Sequence, residues 1–171
     1  MKKKRWVAGL LTLFLCVCAL KPVYAETTAP QIAPSGISKD SKKNMYLADR
    51  NHHVLYQRTR SGTYTVLAGK NGQSGYKDGS AKGVEGDAVG SAKKARFSNP
   101  QDIILYQNDI YISDTGNGSV KKLSGGKVTM VVKAFSLLEN QAPAEPCGLT
   151  IQGGYLYVGD TFVEKLLKIK R

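Results

Sequence analysis

FSNPQDIILYQNDIYISDTGNGSVKKLSGGKVTMVVK, residues 97–133, holds four short strand-like runs separated by turn residues. The runs are 103–106, 110–113, 119–123 and 128–133, divided by Gln107-Asn108, by residues 115–118 and by Gly125-Gly126. Short β-branched and aromatic runs bounded by Gly, Asn and Asp read as antiparallel strands joined by tight turns. The stretch is therefore expected to fold as one four-stranded sheet. Beyond the N-terminus no segment sustains apolar residues at i, i+3 and i+4, so the whole chain reads as all-β.

Two imperfect copies flank this unit. Pro34, Pro100 and Pro146 each precede an aromatic-centred strand that ends in Asp, and those strands read NMYLAD, DIYISD and YLYVGD. The Pro-to-Asp separations are 15, 14 and 14 residues, ending at Asp49, Asp114 and Asp160. The aspartates lie 65 and then 46 residues apart, near the period of about 40–50 that marks propeller blades. The excess in the first interval is a Gly-rich insert. The expected architecture is an incomplete β-propeller of about three four-stranded antiparallel blades, 36–69, 97–133 and 146–171, with a connector at 70–96. Strands in the first blade are expected at 36–40, 45–49, 54–58 and 63–68. The third offers 147–151, 155–159 and 166–170 and lacks its outer strand. Closed propellers need roughly four to eight blades, so the expectation is a truncated copy of a longer gene product, with an open arc or self-association that completes the ring as the alternatives.

The first 25 residues have a different character. Lys2, Lys3, Lys4 and Arg5 precede an apolar run at 6–20, and Val23-Tyr24-Ala25 closes the segment with a small residue. This is the pattern of a secretory signal peptide cleaved after Ala25. The apolar run is 15 residues, short of the 18 or more expected of a spanning helix, so no stable membrane span is expected after cleavage. Leu15 and Val17 before Cys16 and Cys18 are too large for a lipidation signal. The localisation implied is secreted or cell-envelope. Residues 26–35, with Pro30 and Pro34 and no periodicity, read as an extended leader that pairs with no strand.

Cleavage leaves 20 Lys and Arg against 13 acids, a net charge of +7 in place of +12. It also leaves Cys147 as the one cysteine, so no intramolecular disulfide is available in an oxidising compartment. Cys147 reads as a small buried apolar residue.

The residues after each Asp carry a family resemblance. Asp114-Thr115-Gly116-Asn117 resembles the polar turn of NHL repeats, a propeller-forming family; Asp49-Arg50-Asn51-His52 fits loosely, and Phe162 and Val163 after Asp160 depart from it. The connector resembles the family's inter-blade segment through Ala68-Gly69, Gly72, Gly75-Tyr76, Asp78-Gly79, Ala95-Arg96-Phe97 and Pro100. Residues 134–145, before the third blade, lack those glycines. The resemblance implies a secreted binding or interaction module on a propeller scaffold. It also admits a fragment of a propeller enzyme, metal-dependent lyase or lactonase-like hydrolase.

Strand alternation places the turn after each second strand beside the connector. Asn51, His52, His53, Thr115, Asn117 and Thr161 are the expected binding face, with Lys93, Lys94 and Arg96 of the connector. Loops on a rigid scaffold are where binding residues concentrate. The connector is basic through Lys70, Lys77, Lys82, Lys93, Lys94 and Arg96 against Asp78, Glu85 and Asp87, which suits an anionic cell-envelope polymer or acidic protein surface. Nucleic acid is not an expected partner, because aromatic residues are too sparse there for a stacking platform. Asp49, Asp114 and Asp160 are expected to cap their turns by accepting backbone N–H bonds. Catalytic residues are not assigned. His52 and His53 fall short of the three protein ligands of an open zinc site, no cofactor is expected, and calcium is the one ion suited to the three aspartates.

Overall fold

The computed structural model describes residues 30–75, 90–133 and 144–171. The expected export signal and its cleavage site lie outside those residues, as do Lys77, Asp78, Lys82, Glu85 and Asp87 of the connector. Three antiparallel sheets follow one another along the chain, with almost no helix, and each is a blade of an incomplete β-propeller.

The first blade is β1 (Pro34–Lys39), β2 (Met45–Asp49), β3 (Val54–Arg58) and β4 (Tyr64–Gly69), paired in that order. The second carries β6 (Pro100–Tyr106), β7 (Asp109–Asp114), β8 (Ser119–Ser124) and β9 (Lys127–Lys133), with β5 (Gly90–Ser91) added outside β9. A single 3-10 turn, Thr115–Asn117, links β7 to β8. The third is β10 (Pro146–Gln152), β11 (Tyr155–Asp160) and β12 (Lys165–Lys170). The register repeats between blades: Pro34 pairs Asp49, Pro100 pairs Asp114 and Pro146 pairs Asp160, each followed by a bulge. Proline suits the first residue of a strand because its missing N–H leaves no ladder bond unmade.

Three expectations are corrected. The leader does pair: Ala33 accepts the Arg50 N–H at 3.2 Å, and the Ser35 hydroxyl donates to the Ala48 and Pro100 carbonyls at 3.2 and 2.7 Å. Its prolines lack donors, but the carbonyls and the serine supply the bonds. The connector is not all loop either, since Gly90 and Ser91 pair with Val128 and Lys127. Two residues are too few for alternation to reveal a strand. Cys147, expected to be buried, is only half-buried, with its thiol 3.4 Å from the Gly159 carbonyl.

Side chains on facing sheets make the core. Ala48, Leu55 and Ala68 of the first blade meet Phe97, Ile103, Ile112, Leu123 and Val128. Tyr111 and Val120 of the second blade meet Leu149, Leu156, Val158 and Leu167 of the third. Fully burying a side chain such as Leu55, Phe97 or Ile112 stabilises by roughly 1.5–3 kcal/mol. Neighbouring blades share no ladder, so polar side chains of their inner two strands join them. Ser38 accepts the Leu105 N–H at 2.9 Å, the Asp102 carboxylate accepts the Leu149 N–H at 2.7 Å, and Ser113 donates to the Cys147 carbonyl at 3.0 Å. Gly36 permits the closest approach, because a Cβ there would stand 2.6 Å from the Asp102 Cα.

Candidate functional site

All three turn aspartates are buried, but only Asp49 and Asp160 cap the turns that follow them as expected; Asp114 accepts no backbone N–H of its own turn, because Ser98 of the connector and the side chains of Asn117 and Lys121 take its oxygens. Asp49 Oδ1 accepts the N–H groups of Asn51 and His52 at 3.1 and 3.0 Å, and its Oδ2 lies 2.7 Å from His52 Nδ1. Asp160 Oδ1 accepts those of Phe162 and Val163 at 3.0 and 3.2 Å, so this turn forms from backbone alone despite its apolar side chains. Asp114 Oδ1 accepts the Ser98 N–H at 2.6 Å, and its Oδ2 receives Asn117 Nδ2 at 2.7 Å and Lys121 Nζ at 2.9 Å. Burial raises the pKa of Asp114, against the pull of Lys121, the Ser98 N–H and Asn117.

Thr115 and Asn117 do not belong to a binding face. Both are buried: the Thr115 hydroxyl donates to the Pro146 carbonyl, and Asn117 holds Asp114 and reaches the Gly75 carbonyl at 3.4 Å. Buried polar groups are hydrogen-bonded, and here Asn117 satisfies the Asp114 carboxylate while Thr115 satisfies the Pro146 carbonyl. Arg96 is half-buried, and its guanidinium donates to the Lys94 and Ala95 carbonyls at 3.2 and 2.9 Å, which fixes the connector's own bend. Thr161 is exposed on the third blade, apart from the others, and donates to the Glu145 carbonyl at 3.4 Å.

Asn51, His52, His53, Lys93 and Lys94 remain at the surface, gathered around the first two blades. The Gly72 N–H donates to the His52 carbonyl at 3.0 Å, and His53 Nδ1 accepts the Asn99 N–H at 3.1 Å. Each histidine therefore has one ring nitrogen committed. The Gly69 N–H donates to the Ala92 carbonyl at 3.1 Å, so Lys70 and Lys93 each stand one residue beyond a shared contact, with Lys94 next to them. All three lysines are exposed. Connector residues 69–75 and 90–99 include no acid, so this junction is cationic. Among the described residues no group of three or more His, Cys, Asp or Glu could hold a metal, and no helix is long and apolar enough to cross a membrane.

A feature that the sequence reading missed is a recess between the first two blades, on the side of the turns that follow β1 and β6. It encloses about 420 Å³ and is walled by Asp40, Asn44, Tyr46, Gln57, Gln107 and Asn108 among others. Its one advance signal is the turn after β1, longer than Gln107-Asn108 and Gly153-Gly154 at the same place in the other blades.

No family model and no curated protein matches the chain. Among solved structures it is similar to an auxiliary nutrient binding protein from Bacteroides thetaiotaomicron, with TM-score 0.59 and 16% identity over 77% of this chain and 36% of that one. A second, from Bacteroides ovatus, gives TM-score 0.56 and 17% identity over 73% and 34%. A streptogramin B lyase gives 0.51 and 16% over 84% and 42%. The chain spans between about a third and two fifths of the length of these structures. At such identities the likeness concerns fold, and these are β-propeller proteins: the three blades correspond to part of a propeller.

Proposed function

We propose that the chain is an exported NHL-type binding module that engages an anionic cell-envelope partner through the cations where its first two blades meet. The observation that carries this reading is the exposed group Lys70, Lys93 and Lys94, drawn together by the Gly69–Ala92 bond beside Asn51 and the two histidines. Like charges held on rigid sheets steer an oppositely charged surface before any close contact forms. Two structural neighbours are nutrient binding proteins, in keeping with a binding role. The N-terminal sequence supplies the route to the envelope.

The test replaces Lys70, Lys93 and Lys94 with Gln and follows association with isolated cell envelopes at rising salt. Arg96 is left in place because its guanidinium holds backbone carbonyls. Association should slow by roughly tenfold or more at low salt and lose its salt dependence. Unchanged kinetics in the triple variant would remove the charge argument.

The enzyme-fragment reading keeps one supporting observation, the fold shared with a streptogramin B lyase. Turnover by the purified chain, lost on His52→Ala or His53→Ala together with bound metal, would favour it over the module.

A further inference from the structure

The recess between the first and second blades has a counterpart between the second and third, and the counterpart is filled. There the Arg171 guanidinium lies 3.9 Å from the centre of the Tyr106 ring and hydrogen-bonds Tyr111, within electrostatic reach of Asp109. Strand register relates the two places residue by residue. Tyr46 and Tyr111 each stand three before the turn aspartate and pair with Ser38 and Ile104. Asp40 takes the position of Tyr106, Asn44 that of Asp109, and Gln57 that of Lys122. Arg171 follows Asp160 by eleven residues, and the residue eleven after Asp114 is Gly125. Where the third blade sends a guanidinium into the gap, the second has no side chain to send. A Cβ on Gly125 would meet nothing within 4 Å, and Gly125 lines a smaller recess of about 200 Å³ that shares Tyr46, Gln57 and Asn108 with the larger one.

The charge differs in the same sense. In the filled gap Asp109 forms an ion pair with Lys122 at 3.3 Å. In the open one the donors to Asp40 are neutral: the Asn44 N–H and Nδ2, both at 2.8 Å, the Tyr46 hydroxyl at 3.1 Å and the Lys42 backbone N–H. Those bonds outweigh the desolvation of Asp40 and keep it ionised. Tyr46 in turn accepts from Gln57 Nε2 at 3.4 Å, which leaves the Gln57 carbonyl oxygen for a further donor. Lys42, on the rim, is exposed. The result is a fixed carboxylate, amide oxygens and a tyrosine ring around a space of small-ligand size, about 300–1,000 Å³. A guanidinium is planar, carries five donors and stacks on aromatic rings.

We propose that this recess binds a guanidinium group, borne by a small molecule or by an arginine side chain of a partner, in the place that Arg171 fills one blade further on. The experiment is calorimetric titration of the full chain with methylguanidinium chloride and, separately, with a blocked glycyl-arginyl-glycine peptide. Both should bind saturably, and Asp40→Asn should weaken binding by roughly tenfold through loss of a charge-assisted contact. The side-chain carbonyl of the Asp40→Asn variant still accepts the Asn44 N–H, but its NH2 cannot accept from Asn44 Nδ2 and the Tyr46 hydroxyl, so a lower melting temperature should accompany the weaker binding. Gln57→Lys, which copies Lys122 without touching the turn, should also suppress binding. Tighter binding of the peptide would identify a protein side chain as the source, and equal binding a small molecule. Absence of saturable binding at millimolar methylguanidinium, or an affinity unaffected by both Asp40→Asn and Gln57→Lys, would overturn the proposal.

Discussion

Lys121 Nζ lies 2.9 Å from Asp114 Oδ2, with the two side chains 1% and 0% exposed. The same ammonium donates to the Arg96 carbonyl at 2.9 Å and sits 5.3 Å from the Phe97 ring centre. One lysine therefore joins the second blade's turn to the connector entering it. Removing one partner of such a pair leaves a buried charge without its counterion, at a cost of about 3–5 kcal/mol. Lys121→Met is expected to destabilise by that amount in urea unfolding, and Lys121→Met with Asp114→Asn by less than the two single losses added. Additive losses would show that the pair is not coupled.

The third blade lacks this device. Val163 stands where the second blade has Asn117, Leu167 stands where it has Lys121, and Asp160 Oδ2 is buried without a hydrogen-bond partner among the described residues. Val163→Asn should supply the missing donor and raise stability by about 1 kcal/mol, less whatever the half-buried valine contributes by packing. A lower melting temperature would mean that the valine's packing is worth more than the bond.

Gly36 and Gly148 occupy equivalent positions, two residues after Pro34 and Pro146, but only Gly36 has the next blade against it. Its Cβ would come within 2.6 Å of the Asp102 Cα and 2.9 Å of the Gln101 carbonyl, whereas none of Gly148's surroundings lies within 4 Å. Gly36→Ala is expected to cost roughly 1–3 kcal/mol by forcing the blades apart. Gly148→Ala should stay within about 0.5 kcal/mol. Equal effects in thermal melts would place the strain in the bulge both share, not in the blade contact.

The Pro-to-Asp spacing made the inner two strands of each blade readable, and the second strand also declares itself as a short apolar and aromatic run, because in the first two blades its later residues are buried on both faces. What stayed hidden was direction. Thr115 and Asn117 look like exposed turn residues, and only the Pro146 carbonyl of the next blade and the buried carboxylate of Asp114 explain why they face inward. Lys121-Lys122 had to put one lysine inside, since adjacent strand residues point to opposite faces, yet nothing local said that an anion waited there. The recess showed only as a longer turn after β1, and its relation to the Arg171 site stayed hidden because it rests on Gly125 and Arg171, 46 residues apart, being compared through the register of two sheets.

Asp109 should impose a pH dependence on stability. The Ser124 hydroxyl first, and Lys122 after it, hold its pKa below the ordinary 3.8 although burial opposes them. A carboxylate whose folded pKa is depressed stabilises the fold above its unfolded value and loses that contribution as pH falls through the folded one. Melting temperature should therefore drop below pH 3.8 more steeply in the native chain than in Asp109→Asn. Parallel curves would show that the ion pair with Lys122 is fully screened.

The outer margins of the three sheets carry a consequence for solubility. A bare strand edge offers unpaired N–H and C=O groups to any other chain that can extend alongside it. On β9 that margin is partly occupied by β5, whose Gly90 and Ser91 pair with Val128 and Lys127. On β12, which among the described residues pairs only with β11, Lys165, Lys168 and Lys170 recur along the strand, so that a second β12 brought alongside would set lysine against lysine. The same lysines that read as general basicity in the sequence therefore act as a guard against edge-to-edge assembly, and neutralising them would invite fibrils before it loosened any blade.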